Sequence, residues 1–338
     1  MAVLIVLLHS TFEYELRDGI SIFEGIDAPF YHHLDYMFVK NVCNIAVPLF
    51  FVISGYLFFY KDQGFTSELY KNKIKKRAKS LLLPYLIWNL MILVLYIIIQ
   101  NVAPSMNSGR TKLVLDFTFN DFISCFWSME GVNGMATPID GPLWFIRDLM
   151  VMIILSPLFF FVINRFKIIV PIILLALYIL GVPLTSFCFF SIGAYFGICK
   201  VDFVSFVTKY VKFLSTSYII VLFFLILLMD RIVLPENISL LEIVIGVFAS
   251  IGIAGCYCKK GIRANNFLAG STFFIFASHS EILKIFIRLS SRYGPSSDVF
   301  YCISYFICPL VTILILISAY WGLRRYFPQV ASVLSGGR

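Results

Sequence analysis

Four places in the chain set ionisable side chains where chemistry could use them. His9 closes a short apolar run that starts at Met1. An imidazole titrates near pH 6.5, so histidine is the ordinary general base at neutral pH; the plainer role is a helix-end histidine bonded within a bundle. Arg147 and Asp148 follow Gly141-Pro142-Leu143-Trp144-Phe145-Ile146 at the opening of another apolar run, with Pro142 suited to a helix's first turn. Adjacent helical residues point about 100° apart, so each of the two is expected to reach a neighbouring helix or a substrate rather than the other. Either could be bundle glue, or Arg147 could hold developing negative charge in a dry site. His279, with Ser278, Ser280 and Glu281, lies past the middle of a late run; Lys284, three residues on, could simply neutralise Glu281. Trp144, His279 and Glu281 are the candidates for substrate contact. Finally, Lys71, Lys73, Lys75, Lys76, Arg77 and Lys79 crowd one segment. They could set topology alone, or form a phosphate-binding apron for a nucleotide-like donor centred on Lys75, Lys76 and Arg77.

No metal site is expected. His32 and His33 are adjacent, have no third ligand nearby and read as residues of an outer loop. Cys256-Tyr257-Cys258 has the wrong spacing for a zinc knuckle. The eight cysteines sit mostly in apolar stretches, where free Cys is a small filler.

The elements that must position these residues follow from composition. Of 338 residues 60% are hydrophobic and 14% charged, whereas soluble domains carry about 25% charged residues. Such a chain cannot cover a water-facing surface, so lipid is its solvent. The net charge of +8 sits in short connections, which argues against a nucleic-acid partner. A spanning helix needs about 20 mostly apolar residues. The spans predicted are 42–60, 81–102, 142–163, 168–183, 185–199, 213–234, 240–258, 267–288 and 298–321, with a partial one at 1–12. The expectation is an all-α, polytopic transmembrane bundle of roughly ten spans, forming a single membrane-embedded domain over 1–338. The basic clusters at 71–79, Arg165 with Lys167, Lys259–Lys260 with Arg263, and Arg324–Arg325 fall in alternate connections. By the positive-inside rule they face the cytoplasm, which places both termini inside and the aromatic segment 103–141 outside as an interfacial or re-entrant roof. Arg288 and Arg292 fall outside in this scheme, against the rule. The first helix, at about 1.5 Å per residue, is too short for a core about 30 Å thick, so it is expected to begin upstream of Met1.

Four motifs follow one another along the chain. They are Val47-Pro48-Leu49-Phe50-Phe51-Val52-Ile53-Ser54-Gly55-Tyr56-Leu57, then Lys75-Lys76-Arg77 with Leu83-Pro84-Tyr85-Leu86-Ile87-Trp88. Gly141-Pro142-Leu143-Trp144-Phe145 with Arg147 and Asp148 follows, and last Ser271-Thr272-Phe273-Phe274-Ile275-Phe276-Ala277-Ser278-His279. Each is largely apolar, but in this order they resemble the acyltransferase 3 family of bacterial membrane enzymes. The resemblance implies that His9 is catalytic, and that a basic residue about ten positions before it has no counterpart here. It also implies an acyl-CoA donor at the cytoplasmic side of the bacterial inner membrane and a carbohydrate acceptor: an envelope glycan, lipid-linked sugar or exopolysaccharide. The chain stops soon after its last span, as in the family's stand-alone type.

The mechanism expected is O-acylation, with acetyl the expected group and acyl-CoA a donor substrate rather than a resident cofactor. His9 takes or relays the proton of a sugar hydroxyl, Arg147 holds charge or acceptor, and Asp148 could orient His9. Pro48, Ser54 and Gly55 could loosen the second span for the thioester's passage. The competing classes are a glycan or lipid-linked-sugar flippase, for which intramembrane prolines argue and the lack of an internal repeat argues against, and a non-catalytic scaffold. Oligomeric state is not readable from the sequence.

Overall fold

The computed structural model describes residues 1–338 except 18, 61–63, 103–111, 131–135, 232–235 and 338, with the backbone alone at 130, 236 and 237. The end of the expected span 213–234 and two parts of the segment 103–141 thus lie outside the described residues.

Hydrocarbon offers backbone N–H and C=O groups no partner, so a crossing segment must bond within itself. Among the described residues each of the ten apolar stretches holds a helix. They hold Ala2–Leu8, Ala46–Phe59, Leu83–Val102, Trp144–Ile154 with Ser156–Phe166, Ile169–Ile179, Thr185–Ile198, Val211–Leu228, Glu236–Lys259, Asn266–Tyr293 and Asp298–Tyr326. Among the described residues the strands are two antiparallel pairs of two residues each, Leu16–Arg17 with Ile20–Ser21 and Met129–Glu130 with Ala136–Thr137. The protein is an all-α, multi-pass membrane bundle. Among the described residues, by length and composition, five helices can cross a bilayer, or seven spans if two broken pairs are each counted once. The difference from ten has local causes. Ala2–Leu8 has 7 residues and Ile169–Ile179 has 11, and Asn266–Tyr293 dilutes its apolar run with His279, Glu281, Lys284, Arg288 and Arg292. The expected span 142–163 breaks ahead of Pro157, whose ring lacks an N–H and clashes with the preceding turn.

The chain divides into two compact units. The first comprises Met1–Ser67, Ile154–Asn265 and Ile282–Ile313; the second comprises Glu68–Ile153, Asn266–Glu281 and Leu314–Arg338.

In the first unit, Ala46–Phe59 lies against Thr185–Ile198 at backbone distance. A Cβ on Gly55 would overlap the Phe190 carbonyl, and one on Gly193 would overlap the Val52 carbonyl. Lipid supplies no hydrophobic drive between helices, so close packing over small residues takes its place. Gly55, expected to loosen its helix, instead joins it to a neighbour. Lys200 adopts a positive φ of 55° just after this helix pair. Its ammonium donates to the carbonyls of Phe59 and Tyr60 at 3.1 and 2.8 Å, satisfying the end of Ala46–Phe59.

In the second unit, Ile92, Leu93 and Tyr96 of Leu83–Val102 form a core with Val114, Cys125 and Ile139. The described part of the 103–141 segment is therefore anchored on that helix. Gln100 accepts the Val114 N–H at 2.8 Å. Thr118 and Asp121 form a capping box that starts the helix Phe119–Cys125. Bonds from Lys112 and then Thr118 hold the Asp121 carboxyl down at about 2. Phe119, Phe122 and Trp127 remain exposed, the pattern of an interfacial aromatic belt.

Gly193→Val should lower the thermal midpoint of the detergent-solubilised protein, by overpacking on the order of 1–3 kcal/mol. Gly64→Ala, where an added Cβ meets nothing within 4 Å, should leave the midpoint unchanged. Circular-dichroism melting compares the two.

Candidate functional site

The second unit gathers most of the residues singled out by the sequence. A single turn at Gly141–Leu143 feeds the helix Trp144–Ile154. One turn in, Arg147 is half-buried. Its Nε and Nη2 donate to Asp148 Oδ1 at 3.0 and 2.9 Å. Its Nη1 donates to the Trp127 and Ala136 carbonyls at 2.6 and 3.1 Å, and the guanidinium lies 5.6 Å from the Trp127 ring centroid. The expectation that Arg147 and Asp148 turn away from each other is thereby corrected. Their Cβ atoms do diverge, but the arginine stem is long enough to fold its fork back onto the next carboxylate, and charge-assisted bonds reward that geometry. Asp148, for which orienting His9 was one of the roles considered, accepts from Arg147 through Oδ1.

The same guanidinium binds carbonyls on both sides of the strand pair Met129–Glu130 and Ala136–Thr137. Two residues of Leu83–Val102 hold adjoining parts of that segment. The Tyr85 hydroxyl donates to the Phe126 carbonyl, and Asn89 Oδ1 accepts the Asp140 N–H at 3.1 Å. Trp88 donates to the Leu334 carbonyl at 3.1 Å and meets the Phe274 ring edge-on at 5.5 Å. Glu281 accepts from the Tyr96 hydroxyl at 3.2 Å. His279 is fully buried, its Nδ1 2.7 Å from the carbonyl of Phe276 on its own helix. Trp144 is half-buried. On the helix Ser67–Arg77, Lys75 and Lys76 are exposed and Arg77 is half-buried. Lys71, Lys75 and Lys79, four apart, make one exposed cationic stripe.

His9 belongs to the first unit. It is the C-cap of Ala2–Leu8 and is exposed, its backbone N–H bonded to the Ile5 and Val6 carbonyls at 3.3 Å each. The next residue fixes this helix end. Buried Ser10 donates within reach of the Leu7 and Tyr305 carbonyls, at 2.9 and 3.1 Å, and the Tyr305 hydroxyl donates to Leu7 at 2.9 Å.

Sequence reasoning passed over three features. His32 and His33 are not loop residues; they lie in the helix Pro29–Asp35, each beside a carboxylate. His32 Nδ1 is 2.7 Å from Glu13 Oε1, and His33 Nε2 is 2.7 Å from Asp230 Oδ2. Pro29, a first-turn residue, was the available signal. The third is Glu242, fully buried in Glu236–Lys259, where an acid inside an apolar stretch was itself a signal. Among the described residues no group of three His, Cys, Asp or Glu side chains is arranged to hold a metal ion.

Comparison with known proteins bears on this geometry. Residues 1–322 match the model of the acyltransferase domain that defines the acyltransferase 3 family. The succinoglycan biosynthesis protein ExoH of Rhizobium meliloti (strain 1021) is 28% identical over 324 residues, covering 91% of this chain and 84% of that protein. No solved structure matches.

Arg147→Lys, which keeps the charge but loses the fork, should release the segment it ties down. Hydrogen exchange at residues 127–130 and 136–137 is the readout. Faster exchange there, with the helix Leu83–Val102 unchanged, is expected; unchanged exchange would remove the tethering role.

Proposed function

The chain belongs to the acyltransferase 3 family, and from that premise we propose that it transfers an acyl group, acetyl being the simplest, from cytoplasmic acyl-CoA to a hydroxyl of an exopolysaccharide or its lipid-linked precursor. The hydroxyl oxygen attacks the thioester carbonyl, the C–O bond forms as the C–S bond breaks, and the thiol leaves with the proton. The family match over 1–322 carries this reading. The acceptor class comes from the succinoglycan biosynthesis protein, to which the chain is similar over most of its length.

His9 is the proposed base. It is exposed at a helix end tied down by Ser10 and Tyr305, so a hydroxyl can reach its ring. Proton transfer by a placed base contributes about 10²–10⁴-fold. The basic segment Lys75, Lys76 and Arg77, joined to the exposed stripe of Lys71, Lys75 and Lys79, is the proposed seat for donor phosphates, and clustered cations raise the local concentration of such anions. Arg147 and Asp148 act as a positioning pair for the backbone at Trp127 and Ala136, with Trp144 and Glu281, both half-buried, as supporting contacts for substrate. By the positive-inside rule both termini face the cytoplasm of a bacterial inner membrane.

The test is mass spectrometry of envelope glycans from cells carrying the intact gene, a deletion, or His9→Ala at matched protein levels. Acyl substituents should vanish in the deletion and fall at least about 10²-fold in His9→Ala. Full acylation by His9→Ala would remove His9 from the chemistry; unchanged acylation in the deletion would remove the acyl-transfer reading.

A further inference from the structure

A cavity of about 330 Å³ opens in the first unit, its apolar wall from Val39 and Met229 interrupted by the polar side chains of Thr11, Glu13, Tyr14, His32, Asp35 and Lys40. It exists because the chain after His9 is strapped across the helix Pro29–Asp35. The Phe12 N–H donates to the Tyr31 hydroxyl at 2.6 Å, and that hydroxyl lies 3.3 Å from Asp35 Oδ1. Phe12 is fully buried, its ring centroid 6.0 Å from that of Tyr31 and 5.7 Å from that of Tyr301. The strap brings Thr11, Glu13 and Tyr14 over His32 and Asp35, three residues apart on their helix. Glu13 engages His32 Nδ1, and the Phe23 ring sits 4.9 Å from the imidazole. The imidazole is thus fixed with Nε2 as the nitrogen left for a ligand.

The volume falls within the range of about 300–1,000 Å³ typical of small-molecule sites. The chemistry is mixed: two carboxylates, one ammonium, an imidazole and the hydroxyls of Thr11, Tyr14 and Tyr36, with the Tyr14 ring 67% exposed. Two carboxylates against one lysine disfavour an anionic guest. Carboxylates and imidazole suit hydroxyl donors, and the face of Tyr14 suits the C–H face of a sugar ring. Thr11 at the cavity is two residues from His9.

We propose that this cavity is the acceptor subsite, holding an uncharged monosaccharide unit of the glycan through Glu13 and His32, with Tyr14 against its ring. The proposal rests on the acyl-transfer reading above and names the substrate that reading leaves general.

The probe is the deacylated exopolysaccharide oligosaccharide isolated from the deletion strain, titrated against the purified full chain with acetyl-CoA as donor. Glu13→Gln, His32→Gln and Tyr14→Ala should each raise the KM for the oligosaccharide about tenfold, leaving kcat within about twofold and the KM for acetyl-CoA unchanged. Tyr14 is too exposed for its loss to unfold the protein, so it decides the matter if either other variant fails to fold. Unchanged oligosaccharide KM in Tyr14→Ala, or a loss confined to kcat, would overturn the subsite while acyl transfer stands. No transfer by the unmodified protein would overturn the acyl-transfer reading, and the subsite with it.

Discussion

A polar group placed in hydrocarbon has no water to bond, so it must find its partner within the protein, and the internal order of both units follows from that requirement. The Arg147 guanidinium, half-buried at a helix opening, resolves it by collecting a carboxylate, two carbonyls and an indole face. Trp88 resolves it by reaching the Leu334 carbonyl, and Ser10 by bonding carbonyls at Leu7 and Tyr305. Each solution ties together segments far apart in sequence. Where no polar group intervenes, the helices close directly on one another, as Gly55 and Gly193 permit.

The same requirement gives two of the candidate residues polar and aromatic supports from elsewhere in the first unit. His9 is exposed, but the helix end that carries it is fixed by hydroxyl–carbonyl bonds on both sides. His32 is held through Glu13 and packed by Phe23. A base or a binding imidazole works best when its orientation is set before substrate arrives, since the ordering cost is then met in folding rather than at each turnover. The lysine stripe differs in kind. Long, solvated ammonium side chains suit phosphates that come and go, and they need no fixed geometry.

The fold was legible because lipid imposes a simple rule: long apolar stretches must be helical, and among the described residues each of the ten holds a helix. What sequence could not show is how those stretches are cut. Pro157 breaks one, and the polar residues of Asn266–Tyr293 dilute another below the composition of a plain span. How the candidate residues pair was not legible. The rule that neighbours on a helix do not meet holds for short side chains and failed for Arg147, whose reach exceeds the spacing it describes. His32 was misread because a seven-residue helix has too few turns for its apolar period to show. Its partner Glu13 lies nineteen residues away, a pairing set by the Phe12–Tyr31 strap and by nothing in local pattern. Gly55 was read as a loosening residue, when the absent Cβ serves a tight contact instead.

The most direct test of acyl transfer is reconstitution of the purified chain in proteoliposomes with acetyl-CoA labelled in its acetyl group and deacylated exopolysaccharide oligosaccharide. The account predicts label on the oligosaccharide together with an equal release of free CoA thiol. Oligosaccharide crossing the bilayer with the label still on CoA would contradict it and identify a transporter.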